Sequence, residues 1–76
     1  MFDIRVKRKF FTMTPEYELK SIIVKTLEFI EENGLDVSID NGVLNDRLVG
    51  IVSTGAGEEI GKHLESLGYE THVEEM

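Results

Sequence analysis

Cysteine and tryptophan are absent from this chain of 76 residues, proline occurs once, and 8 basic side chains face 15 acidic ones. Without cysteine there is no disulfide, no thiolate metal site and no thiol nucleophile. No apolar run approaches the roughly 20 residues that a membrane-spanning helix needs. The N-terminal stretch MFDIRVKRKFF is basic but too poor in consecutive apolar residues for a signal peptide. The sequence is therefore read as that of an intracellular, cytoplasmic protein. Its length allows a single domain, residues 1–76, with one thin core hiding about 60% of the surface that unfolding exposes. A composition of 41% hydrophobic and 30% charged residues is that of a globular chain.

Phe2, Ile4 and Val6 alternate with Asp3, Arg5 and Lys7, which predicts a strand with one buried face. Thr14-Pro15-Glu16 predicts a helix start: a capping hydroxyl, a proline suited to the first position, and an acid at the positive end. Leu19, Ile23, Leu27 and Ile30 form one helical stripe, and Asn33-Gly34 ends it. Leu35, Val37 and Ile39 alternate with polar residues as a second strand. Asp40-Asn41-Gly42 reads as the reversal that follows, with a bulge or longer loop near Asn45-Asp46 to repair the register. Arg47–Ser53 is a third strand, and its nearly continuous apolar run suits a central position. Ile60, Leu64 and Leu67 mark a second helix ended by Gly68, and Tyr69, Thr71 and Val73 alternate as a last strand.

The order β-α-β-β-α-β predicts an α+β domain resembling the ferredoxin-like, or split βαβ, arrangement. That implies a four-stranded antiparallel sheet of order 4-1-3-2 with both helices on one face. Many unrelated functions use this arrangement, so function must come from sites. Three families that share it are not matched: there is no CxxC, no Asp-x-Pro-Gly turn after strand one, and no arginine in a glycine-rich first loop.

Residues 53–61, Ser-Thr-Gly-Ala-Gly-Glu-Glu-Ile-Gly, resemble a dinucleotide-binding fingerprint of the GxGxxxG form through Gly55, Gly57 and Gly61. Two carboxylates, Glu58 and Glu59, occupy the helical turn where a phosphate would sit, and only one strand follows. No cofactor is assigned; Thr54, Gly55 and Gly57 are the residues a nucleotide or small ligand would meet if this turn served as a sensor. His63 and His72 are expected on opposite sides of the sheet, too far apart for one metal, and no catalytic constellation is visible. An enzyme is not expected.

Charge is uneven. Residues 1–9 hold four basic side chains and one acid, whereas residues 10–76 hold four basic and 14 acidic ones. The basic strand lacks the exposed aromatics of RNA-binding sheets, and Glu70 and Glu74 are expected beside it, so ion pairing is preferred to nucleic-acid binding. The expectation is a small acidic regulatory module that acts through protein contacts. Its candidate docking residues are Glu28, Glu31 and Glu32 for a basic partner, with Ile22 and Phe29 as an apolar shoulder. Homodimerisation through the open sheet face is a separate expectation, and an acidic imitation of DNA is an alternative use of the same charge.

Overall fold

The computed structural model describes all 76 residues. The elements run β1 (Phe2–Lys7), α1 (Pro15–Glu32), β2 (Ile39–Val43), β3 (Leu48–Ser53), α2 (Gly57–Ser66) and β4 (Glu70–Glu75). All strand pairs are antiparallel in the spatial order β2-β3-β1-β4, the expected neighbours read from the other edge. Ile4 and Val6 of β1 lie against Ile51 and Val49 of β3, and all four are fully buried. They form one core with Ile22 and Ile30 of α1, Ile60 and Leu64 of α2, and Tyr69, so both helices cover the same sheet face.

Helix α1 begins as the sequence predicts. Thr14 Oγ1 accepts the Tyr17 backbone N–H at 3.2 Å, and Pro15 opens the first turn. It ends at Asn33, with Gly34 at φ +61° carrying the chain into the left-handed region. Which side of α1 is buried differs from expectation. The fully covered residues are Glu18, Ile22 and Thr26, with Ile30 at the margin, while Leu27 is half exposed. Two polar residues thus stand in the core stripe because each has its hydrogen bonds satisfied. Thr26 Oγ1 donates to the Ile22 carbonyl at 2.8 Å, and Glu18 binds Arg8. Leu19 and Ile23 remain partly buried at the edge of the core.

The second departure is the hairpin. Asp40-Asn41-Gly42 lies inside β2, paired with Val52, Ile51 and Gly50, and the reversal occurs at residues 44–47. Asn45 explains this: its Oδ1 accepts the backbone N–H groups of Arg47 at 2.8 Å and Leu48 at 3.0 Å, a side-chain-stabilised turn. Leu35 and Val37 still pack against the core but precede the strand rather than forming it.

Candidate functional site

The deepest charges in the molecule are Arg8 and Glu18, whose side chains are 6% and 1% exposed and 2.8 Å apart. Arg8 follows β1, and Glu18 sits in the first turns of α1. Glu18 Oε1 also accepts the backbone N–H groups of Lys9 at 2.6 Å and Phe10 at 2.9 Å. Arg8 donates onward to the carbonyl of Asp46 at 2.6 Å and to those of Phe10 and Met13. Burial raises the Glu18 carboxyl, but hydrogen bonds from Phe10, Arg8 and Lys9 outweigh it and hold the group below its ordinary value of 4.5. Burial, and then the Glu18 charge, push the Tyr69 hydroxyl above its ordinary value, against a hydrogen bond with Ser21. With its donors directed at protein acceptors, this pair fastens the loop between β1 and α1 to the β2–β3 hairpin. Sequence reasoning missed it; its one trace was an acid in register with Ile22 and Ile30 at helical spacing.

The glycine-rich turn has a packing explanation. A side chain at Gly57 would place its Cβ 2.3 Å from Phe2 Cγ, and one at Gly61 would lie 2.7 Å from Val73 Cγ2. Both glycines let α2 lie directly on β1 and β4. The Thr54 hydroxyl accepts the Ser38 N–H at 2.9 Å, and Ser53 Oγ donates to the Gly55 carbonyl. In this turn the left-handed residue is Ala56, at φ 54°.

Each histidine sits beside a partner. His63 on α2 stacks on Phe29 of α1 with ring centroids 4.3 Å apart, and His72 on β4 meets Glu74 at 2.9 Å. That hydrogen bond and the nearby His72 charge hold the Glu74 carboxyl below its ordinary value.

Two proposed docking residues are removed by the structure. Ile22 is fully buried in the core, and Phe29 is half buried between the core and His63, so neither forms an exposed shoulder. Both follow from the buried stripe of α1, which runs through Glu18, Ile22, Thr26 and Ile30. Glu28, Glu31 and Glu32 are exposed as expected, and none is in an ion pair. Tyr17 is exposed by 60%, Val24 by 52% and Leu27 by 49% on the outer face of α1, away from the sheet, and of the three only Leu27 has left the expected stripe. A shallow groove of about 450 Å³ runs there, lined by Tyr17, Lys20, Ser21, Val24, Lys25 and Glu28.

The open sheet face is more polar. Leu48 and Val52 of β3 point to it, and Leu44 folds over Gly50, its side chain 3.1 Å from where a Cβ would stand. Around them lie Asp3, Arg5 and Lys7 of β1 opposite Glu74, His72 and Glu70 of β4, with Lys7 and Glu70 3.6 Å apart. No helix is long and apolar enough to cross a membrane. Comparison with protein-family models, with curated proteins and with solved structures finds no match to this chain.

Proposed function

We propose that this chain, a domain of ferredoxin-like topology, is a non-enzymatic module that acts through protein contacts, and that its contact surface is the outer face of α1. The observation that carries this reading is the exposure of Tyr17, Val24 and Leu27 along one face of one helix. Single exposed apolar residues are ordinary, but a contiguous stripe edged by charge is the pattern of a docking surface. Glu28 and Glu31 continue the stripe and Glu32 flanks it, so the partner must bring apolar side chains and a basic group opposite these acids.

A ligand-sensing reading of residues 54–58 has less support, because Phe2 and Val73 require Gly57 and Gly61 whether or not a ligand is present. An acidic DNA mimic would use the charge and leave the apolar stripe without a role. The test is affinity capture with the wild-type chain and a Val24→Asp/Leu27→Asp variant. Both substitutions are on the exposed side, so stability should move by no more than about 0.5 kcal/mol per site. Partners held by the wild type should be lost by the variant. Equal capture by both chains would overturn the assignment of this face.

A further inference from the structure

Resting on that reading, we infer that the partner of the α1 outer face is a second copy of this chain, docked with its own α1 antiparallel. The exposed seam runs straight along the helix at heptad spacing, with Tyr17, Val24 and Leu27 as its apolar members and polar residues between them. Tyr17, Val24 and Glu31 recur every seven residues, with Lys20-Ser21 and Leu27-Glu28 at the intervening positions. Among the charges nearest the line of Tyr17, Val24 and Glu31, Lys20 stands in the N-terminal half and Glu28 and Glu31 in the C-terminal half, with Glu16 and Lys25 at the margins of the face.

A two-fold axis through Val24 makes this surface complementary to itself. Each residue is then level with the one equally far beyond Val24 on the other copy. Lys20 comes level with Glu28 and within reach of it across the seam, Ser21 level with Leu27, Tyr17 with Glu31, and Val24 with its own counterpart. Symmetry produces each ion pair twice. The tyrosine hydroxyl supplies a donor to the opposing glutamate, and Val24 and Leu27 fill the centre. A parallel arrangement would place Glu28 against Glu28 and Lys20 against Lys20, so charge selects the antiparallel one. The basic group that the acidic half of α1 calls for is therefore already present, on the other half of the same helix.

The experiment is sedimentation of the purified chain at high micromolar concentration and low salt, with charge exchange and crosslinking as its internal checks. The wild type should approach twice the 8.6 kDa monomer mass, and added salt should shift it toward monomer. Lys20→Glu and Glu28→Lys should each weaken the dimer by about tenfold or more, because each replaces two attractions with two repulsions. The double variant K20E/E28K should restore it. Val24→Cys, the only thiol in such a chain, should form a disulfide-linked dimer on mild oxidation, whereas Leu48→Cys on the open sheet face should not. A wild type that stays monomeric overturns the inference. So does a double variant that fails to recover, or crosslinking through Leu48→Cys instead of Val24→Cys. A monomer that still captures another protein through Tyr17, Val24 and Leu27 would overturn self-association alone, and equal capture by V24D/L27D would remove the surface itself.

Discussion

The two helices bury their faces by opposite means. Helix α2 presents Ile60 and Leu64 to the core and removes side chains at Gly57 and Gly61, so that backbone meets Phe2 and Val73. Helix α1 does the reverse: it puts a charged glutamate and a threonine into its buried stripe and leaves Tyr17, Val24 and Leu27 outside. In α2 the apolar pattern and the buried side coincide, and its outer residues Glu58, Lys62 and Glu65 are polar. In α1 a buried ion pair and a threonine share the inward side with Ile22 and Ile30. Pattern locates a buried face only when polar residues stay out of it, and a helix that breaks this rule is left with apolar residues to spare.

The contrast is broken most strongly at Glu18. Glu18→Ala leaves the Arg8 guanidinium buried without its carboxylate and two loop amides without an acceptor. A loss of about 3–5 kcal/mol is expected, read by chemical denaturation. That is a large share of the roughly 5–15 kcal/mol that holds a domain together. On α2 the corresponding test is Gly57→Ala. Its Cβ would stand 2.3 Å from Phe2 Cγ and 2.5 Å from Phe2 Cβ, so the start of β1 must separate from α2. A loss of about 1–3 kcal/mol and a lowered melting temperature are expected, despite the better helix propensity of alanine.

The smallest effect is on pH. Glu18 is held below 4.5 in the folded chain, so the unfolded chain binds its proton first as pH falls. The stability it contributes is complete above its unfolded value and is lost as pH drops through the lower, folded value. Urea midpoints measured downward from pH 5 should therefore fall more steeply for the wild type than for Glu18→Gln. Parallel curves would show that Glu18 does not contribute to acid unfolding.

Most of the architecture was legible because its signals are local. The Thr14 cap, the stop at Gly34, the alternation in β1 and β4, and the apolar run of β3 each act within a few residues. Asn41-Gly42 marks the reversal too early, because it is a strong turn signal only where nothing nearby competes, whereas the loop that register calls for near Asn45-Asp46 is where the chain turns. Asn45 competes, with one side chain that satisfies two backbone amides. The exposure of residues along α1 was half legible. Exposure of Glu28, Glu31 and Glu32 follows from charge alone, whereas the fates of Ile22 and Phe29 depend on Arg8, ten residues from Glu18, and on His63 across the helix layer. Neither partner leaves a mark in the periodicity of α1.

Arg8 also bears on how freely one loop can open. The segment from Arg8 to Thr14 has no regular secondary structure and carries the exposed rings of Phe10 and Phe11. Such a connection ordinarily frays by itself, at little free-energy cost and with no effect on the rest of the fold. Here the amides of Lys9 and Phe10 close on a carboxylate rooted in α1, and the guanidinium beside it reaches across to the carbonyl of Asp46 in another connection. To release the loop, the chain must expose a buried charge on a helix and free the tip of a hairpin in the same event. Opening the loop therefore costs more than fraying a free connection would, and its aromatic rings are carried on a backbone tied at once to α1 and to the hairpin.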